Sequence, residues 1–342
     1  HTAYRRQRQM CIRDSFLTGF DPMERIVTLE CGYGDDQVSI IYNNDIGEKR
    51  VKKENYYPFV WVKQSAAQRL FDGNRVELKK KMAEFGIRVK GLNIYNKDGK
   101  TAERLENGYR VMFYASKRMA YNKFLRFFQI AGMPVYPNDK DKDQKSSSKD
   151  FLAVSPIEQF MIQTGKRLFK GYDDYDELTR LEFDLETQGL EPKLHAIDQI
   201  GIRTNRGFEK ILTITGEGNE RRKNELIAIE EAIKIIADIK PDVITGHNSE
   251  NFDWNYLIVR CDVLGSSMQE ISSKYFKQAL YKKKRQTVLK LGGEIEYYYP
   301  TVLWGYNITD SLHAVRRAQA QDSNMKKADS VSYTHLRAHE TL

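Results

Sequence analysis

Short runs of alternating apolar and polar residues dominate the first part of the chain. The runs at 26–29, 38–42 and 58–62 have the two-residue period of strands that bury one face, and turn-forming residues separate them. The pattern then predicts a helix, two strands and an aromatic-rich helix, at 65–85, 88–94, 109–114 and 116–132. We therefore expect a strand-rich α+β domain at the start of the chain.

The pattern changes at Thr179. Three short strands are predicted first, at 181–185, 196–203 and 210–215. A helix over 224–239 has apolar residues at helical spacing and stops before Pro241. A buried strand and a further helix follow, at 243–245 and 253–265. This order predicts an α/β fold in which helices flank a mixed sheet.

A charged, low-complexity segment over 137–150 separates the two patterns and indicates an exposed loop or linker. We therefore expect an N-terminal domain over 16–150 and a second domain over 151–329. The two ends, 1–15 and 330–342, resemble conceptual translations of adapters used in DNA sequencing libraries. On this interpretation the ends are artefacts, and the downstream end of the genuine segment is not a natural stop.

Composition narrows the class of protein only slightly. The 342-residue chain has a formal net charge of +8, which suggests either a polyanionic partner or a basic surface that aids solubility. No run of about 18 apolar residues is present, so no membrane span is predicted. Cys11, Cys31 and Cys261 lack metal-site spacing and favour a reducing, cytoplasmic compartment.

The first candidate for chemistry is F-D-L-E-T at 183–187. Strand alternation places Asp184 and Glu186 on one face, and the apolar Phe183 and Leu185 on the other. Neighbouring carboxylates repel each other, and a divalent metal, which prefers oxygen ligands, would keep both ionised. A solvated acidic edge is the alternative interpretation.

The second candidate is G-H-N-S-E-N-F-D at 246–253, between the buried strand and the last predicted helix. Ligand sites in α/β sheets form at such strand-turn-helix junctions. The alternatives are that Asp253 caps the helix and that Asn248 is a turn residue. His247 is interpreted as a neutral turn histidine.

D-L-E-T followed by N-x-x-x-F-D resembles the first two motifs of the DEDD 3′–5′ exonucleases, in the form typical of family B DNA polymerases. Residues 155–172 are similar to the segment before the first motif in phage-type members, and 307–313 resemble a strand that ends in an aspartate. The likeness runs from Met23 to Asp329. It implies an RNase H-like exonuclease domain after a strand-rich α+β domain, and it favours a phage protein in the cytoplasm of a bacterial host.

The resemblance also implies a mechanism: two Mg²⁺ or Mn²⁺ ions hydrolyse mispaired 3′-terminal nucleotides. Asp184 would bridge both ions. Glu186 would hold the ion that binds the nucleophilic water, and Asp253 would support the second ion. The catalytic and metal-binding residues are thus the same three carboxylates.

The same resemblance identifies the partner as DNA, bound as a single-stranded 3′ primer end and a template. Asn248 and Phe252 match positions that hold the primer end, and Thr187 would order it. An amide can donate to phosphate or base, and an aromatic face stacks on any base. No membrane is expected as a partner, and no processivity factor is identified.

One departure from the family pattern concerns the end of the sequence. The third motif, Y-x-x-x-D, has no counterpart after Asp310, because Tyr333 has no aspartate four residues on. The polymerase motifs are also absent. We therefore expect a fragment that cannot synthesise DNA and is impaired as an exonuclease, with Asp310 in a structural role. The rival interpretations are a free-standing DEDD exonuclease and a non-catalytic nucleic-acid-binding module.

Overall fold

The computed structural model describes residues 20–91, 109–133, 150–284, 286–291 and 294–321. The adapter-like ends, Tyr333 and residues 137–149 of the predicted linker lie outside this part of the chain. The chain divides into two compact units, His1–Gly171 and Tyr172–Leu342. No helix in the described part is both long enough and apolar enough to cross a lipid bilayer.

The described part of the first unit contains two antiparallel sheets and four helices. One sheet is a meander of three strands, β1 (Ile26–Glu30), β2 (Gln37–Asn43) and β3 (Lys49–Asn55). The other has the order β5-β6-β4-β7, with β4 (Phe59–Val62), β5 (Ile87–Gly91), β6 (Val111–Ala115) and β7 (Phe151–Leu152). The helices are α1 (Gln64–Gly73), α2 (Arg75–Phe85), α3 (Tyr121–Ile130) and α4 (Pro156–Thr164).

Local chemistry explains where these elements differ from the sequence pattern. The single helix expected over 65–85 is two helices, because the Asn74 side chain accepts a hydrogen bond from Glu77 N and starts a new one. Strand β3 was not predicted, because it lies at the edge of its sheet and exposes five of its seven residues. Helix α3 buries its aromatic face in the core, as expected, through Tyr121, Phe124, Phe127 and Phe128.

The first unit extends to Gly171, beyond the boundary expected after residue 150. Strand β7 pairs with β4, and the fully buried Gln159 of α4 accepts hydrogen bonds from Tyr56 Oη at 2.9 Å and Phe59 N at 2.8 Å. These contacts attach residues 151–164 to the core of the first unit.

The second unit is built on a five-stranded mixed sheet with the order β10-β9-β8-β11-β16. Its strands are β8 (Arg180–Thr187), β9 (Ile197–Thr204), β10 (Glu209–Thr213), β11 (Val243–Gly246) and β16 (Asn307–Asp310). Strands β8, β11 and β16 are parallel to one another, and β9 is antiparallel to both of its neighbours. The expected α/β sheet is confirmed.

Helices and two short antiparallel ladders complete the described part of this unit. The helices are α5 (Gly218–Ile239), α6 (Asp253–Val263), α7 (Met268–Phe276) and α8 (Ser311–Gln321). The short ladders pair β12 (Tyr281–Lys282) with β15 (Thr301–Val302) and β13 (Thr287–Leu291) with β14 (Glu294–Tyr298). Helix α5 follows the predicted spacing, and its buried Ile229, Ile233 and Ile236 pack in the core with Leu181.

Gln159→Ala is expected to lower the free energy of unfolding by about 3 kcal/mol, because it leaves Tyr56 Oη and Phe59 N buried without their acceptor. Urea unfolding followed by tryptophan fluorescence measures the change. Gln129→Ala, on the exposed side of α3, is the matched control and should stay within roughly 0.5 kcal/mol of wild type. Equal stabilities for the two variants would contradict the anchoring role of Gln159.

Candidate active site

The acidic residues of the two motifs lie where three parallel strands end. Thr245 of β11 lies opposite Glu182 of β8 on one side and Thr309 of β16 on the other. Two residues beyond Glu182, Asp184 therefore occupies the carboxyl-terminal edge of the sheet, as does Asp310 at the end of β16. In open α/β sheets this edge is where ligands bind.

The strands approach each other closely at this edge. A Cβ on Gly246 would lie 2.7 Å from the Ser249 Cβ and 3.1 Å from the Phe183 carbonyl oxygen, so no larger residue fits without displacement of its neighbours. The chain then turns, and α6 begins at Asp253. The turn therefore brings the second motif next to the first.

Asp253 is the link between the two motifs. Its carboxylate is 1% exposed, and Oδ1 accepts a hydrogen bond from Leu185 N at 3.2 Å. Asp253 is the first residue of α6, and the preceding Phe252 makes no side-chain capping bond. The side chain thus points to the strand that carries Asp184 and Glu186.

The Asp253 carboxylate is affected by its burial and by the charge of Asp184. Burial raises the pKa of Asp253 from 3.8 to about 7, and the negative charge of Asp184 adds to the rise, with a smaller contribution from Asp310. Backbone hydrogen bonds oppose the shift without cancelling it. Within the described part of the chain, Asp253 has no ion-pair partner, so its ionised form is unfavourable as the structure stands.

The Glu186 side chain is less buried than those of Asp184 and Asp253. Its side chain is exposed on β8, two residues beyond Asp184. The pairing with β9 shifts immediately after Glu186, where a bulge interrupts the ladder. Among the described residues, no three histidine, cysteine or carboxylate side chains are close enough together to form a ready-made metal cluster. Of the three predicted ligands, Asp184 and Asp253 are the two whose charges interact.

Asp310 holds the turn of the second motif. Its Oδ1 accepts from Asn248 N and Leu312 N, both at 2.9 Å, and its Oδ2 accepts from Glu250 N at 3.0 Å. Three backbone donors occupy this buried carboxylate, in keeping with the structural role expected from the sequence.

Asn248 is held in place through its backbone. It has a left-handed conformation, with φ of 59°, and its carbonyl accepts from Phe252 N at 2.9 Å. Asparagine tolerates this conformation better than most residues do. The turn interpretation is therefore correct for the backbone, and the half-exposed side chain is left for other contacts.

Glu250 was missed by sequence reasoning, although it lies inside the second motif. Its buried Oε2 accepts from Thr301 N at 2.9 Å, Thr301 Oγ1 at 2.7 Å and Lys282 Nζ at 3.0 Å. The partners come from the β12–β15 ladder, 32 and 51 residues further along the chain, so no local spacing could have revealed them. Through the three hydrogen bonds to this oxygen, Glu250 fastens the turn to the β12–β15 ladder.

The remaining predicted residues lie beside the carboxylates. The half-buried ring of Phe252 lies 5.2 Å from the ring of Tyr256, and Thr187 Oγ1 donates to the Gly189 carbonyl at 3.0 Å. His247 Nδ1 lies 3.0 Å from Ser311 Oγ. All of these residues belong to β8, the 246–253 turn, or the segments that directly follow them.

The donor set suits a divalent cation. Asp184 and Asp253 place negative charge close together at a partly buried edge, and Glu186 can add a third carboxylate from the same face of β8. Carboxylate oxygens are the ligands that Mg²⁺ and Mn²⁺ prefer, and a cation would relieve the repulsion that raises the pKa of Asp253.

The family model for "DNA polymerase family B, exonuclease domain" matches residues 159–289, a span that contains both motifs. A DNA polymerase of Archaeoglobus fulgidus is 37% identical over 93 residues, which are 26% of this chain. DNA polymerase 2 of Aeropyrum pernix is 33% identical over 97 residues, which are 27% of this chain. The chain covers 11% of the length of each relative.

A solved structure of the family B DNA polymerase from the archaeon Pyrobaculum calidifontis has a TM-score of 0.49 and 14% identity, over 83% of this chain and 36% of that chain. The sequence resemblance to the family B exonuclease region is confirmed by the family match. These relatives are archaeal, so they lend no support to a phage source.

Asp253→Asn should stabilise the metal-free protein increasingly as the pH rises. The stability that neutral Asp253 contributes is fully present below pH 3.8 and is lost as the pH rises through about 7. The amide keeps an acceptor for Leu185 N but cannot ionise. With chelator present, the melting temperature of the variant minus that of wild type should grow between pH 5 and pH 8.

Asp262→Asn, an exposed position on the same helix, is the control for this measurement and should show no such trend. A difference between Asp253→Asn and wild type that is the same at every pH would contradict the raised pKa of Asp253.

Asp310→Asn should destabilise the protein by roughly 1–3 kcal/mol, because an amide NH₂ cannot accept the bonds that the two carboxylate oxygens accept from three N–H groups. Urea unfolding at pH 7 measures the loss. A variant as stable as wild type would show that the turn does not depend on this carboxylate.

Proposed function

We propose that this chain, in which residues 159–289 form a family B DNA polymerase exonuclease domain, removes 3′-terminal nucleotides from DNA. The observation that carries the proposal is the buried Asp253 carboxylate, hydrogen-bonded to the backbone of β8 and coupled to Asp184 at the open edge of the sheet. Two distant motifs thereby supply one acidic site, within an RNase H-like fold in the sense of that family.

Asp184, Glu186 and Asp253 would hold two Mg²⁺ or Mn²⁺ ions. When bound, such ions activate a water and stabilise the charge that develops on the phosphate. The contribution of the protein is to place its carboxylates before the ions arrive: the Leu185 amide orients Asp253, and the strand orients Asp184. Exposure of Glu186 leaves it free to move toward a cation.

Asn248, Phe252 and Thr187 would bind the unpaired 3′ end. The Asn248 amide can donate to phosphate or base because its backbone, not its side chain, is tied to Asp310. Phe252 is half-buried against Tyr256, which leaves part of its ring for stacking on a base. Thr187 lies at the end of the strand that carries Asp184.

The parent protein, on this proposal, is a DNA polymerase that proofreads a primer on a template, with an N-terminal domain that precedes the exonuclease domain. This chain itself is proposed to hydrolyse DNA and not to add nucleotides, because the motifs at 183–187 and 246–253 resemble those of an exonuclease site. The adapter-like character of the ends and a phage source stay predictions.

The decisive experiment follows shortening of a 5′-labelled single-stranded oligonucleotide by the full chain, with Mg²⁺ or Mn²⁺ and with chelator. Wild type should shorten it from the 3′ end only when metal is present. Asp184→Asn and Asp253→Asn should each slow hydrolysis on the order of a hundredfold. Glu209→Gln, an exposed charge change on β10, is the control and should retain the wild-type rate.

Two results would contradict this proposal. Metal-independent DNA binding with no hydrolysis by any variant would favour a non-catalytic binding module. Nucleotide addition to a primer-template by this chain would refute the expectation that it cannot synthesise DNA.

A further inference from the structure

One face of α6 contacts a single stretch of backbone three times. Asp253, Tyr256 and Arg260 are spaced three and four residues apart, so their side chains lie in a row along the helix. Each bonds to backbone between 185 and 195: Asp253 accepts from Leu185 N, Tyr256 reaches two carbonyls and Arg260 reaches one. Only the first of these three residues belongs to the proposed metal site.

Tyr256 joins the two ends of the loop that follows β8. Its hydroxyl lies 2.9 Å from the Gly189 carbonyl and 2.9 Å from the His195 carbonyl, so its one proton is shared between them. The Gly189 carbonyl also accepts from Thr187 Oγ1. Through this shared acceptor, Tyr256 is linked directly to a residue proposed to bind the 3′ end, and its ring contacts another, Phe252.

Arg260 extends the same row of contacts. Its Nη1 donates to the Pro192 carbonyl at 3.0 Å, at the far side of the loop. Its Nε and Nη2 bind the two oxygens of Glu225 at 2.7 and 2.6 Å, and Glu225 Oε1 also accepts from Ile197 N at 3.0 Å. Glu225 is fully buried, so this ion pair is a rigid support.

Apart from these bonds to α6, few contacts fix the position of the loop over 188–196. From Glu186 to Ala196 no side chain is buried, and Leu190 and Leu194 are 84% and 78% exposed. The loop makes turn bonds of its own, such as Gln188 N to the Ala196 carbonyl, but it buries no apolar group in the core. Its position relative to the carboxylates therefore depends on the bonds from α6.

We propose that Tyr256 and Arg260 are positioning residues, which hold the 188–196 loop and Thr187 at the geometry that the 3′ end of a single strand requires. This inference rests on the proposed exonuclease function. Neither residue touches the reacting atoms. Tyr256 acts through Thr187, Gly189 and the ring of Phe252, and Arg260 acts through the Pro192 carbonyl.

The test variant is Tyr256→Phe, which removes the hydroxyl and keeps the ring beside Phe252. Loss of a hydroxyl bond that orders the site should weaken binding of a labelled single-stranded oligonucleotide, and raise KM, by roughly tenfold. The value of kcat should stay within about twofold, because the carboxylates are untouched. Hydrogen exchange of the amides over 188–196 should become faster.

Tyr275→Phe is the matched control. Tyr275 donates its hydroxyl to Glu230 at 2.8 Å on a helix outside the site, so its variant loses one bond of the same kind. It should match wild type in oligonucleotide binding, KM and loop exchange. Arg260 is not substituted, because its removal would leave the buried Glu225 carboxylate without its ion-pair partner.

Gly189→Ala is a second test variant, which changes the loop itself and leaves helix α6 unchanged. A Cβ there would lie 2.7 Å from His195 Nδ1, so the loop must shift to admit it. This variant should also weaken oligonucleotide binding and accelerate exchange over 188–196, without any loss of a buried charge.

The outcomes separate this inference from the proposed function. If Tyr256→Phe speeds amide exchange in the loop but leaves oligonucleotide binding unchanged, Tyr256 is merely structural and the proposal is overturned. Unchanged amide exchange in this variant would overturn the proposal as well. If wild type does not hydrolyse DNA, the proposed activity fails, while exchange and oligonucleotide binding still decide whether the hydroxyl holds a DNA-binding loop.

Discussion

One hydrogen bond, from the Leu185 amide to the Asp253 carboxylate, joins the first turn of α6 to the end of β8. It forms in a buried position where a second carboxylate, Asp184, opposes the charge of the first. A buried acid beside another acid is unfavourable unless a cation or a proton compensates it. The folded chain thus concentrates negative charge at the edge of its sheet, and either a proton or a bound cation would relieve the repulsion.

The acidic residues at this edge divide into two groups by the partners they have. Asp310 and Glu250 each accept three hydrogen bonds, from backbone amides, a threonine hydroxyl and a lysine, so they fasten the irregular turn after β11. Asp253 has one amide and no cation in the described part of the chain, and Glu186 is exposed. The number of hydrogen-bond and ion-pair partners, more than residue type, distinguishes carboxylates that hold the turn in place from carboxylates available to a ligand.

The features that follow from local sequence were predictable. Apolar periodicity located the sheet strands and helix α5. The two short motifs identified Asp184 and Asp253, because one motif ends strand β8 and the other leads into helix α6. The roles of Glu250, Tyr256 and Arg260 were not predictable, because their partners lie 32 or more residues away in the chain. Strand β3 was missed for a different reason, since an exposed edge strand carries no apolar alternation.

Asn248 shows how backbone and side chain can restrict one position independently. Its positive φ penalises β-branched and bulky residues, whatever chemistry they offer. Glycine would satisfy the backbone and lose the amide, while glutamine would keep an amide on a longer stem and strain the turn. On the proposed role of the Asn248 amide, substitutions at this position are therefore restricted twice, by the backbone conformation and by the need for a side-chain amide.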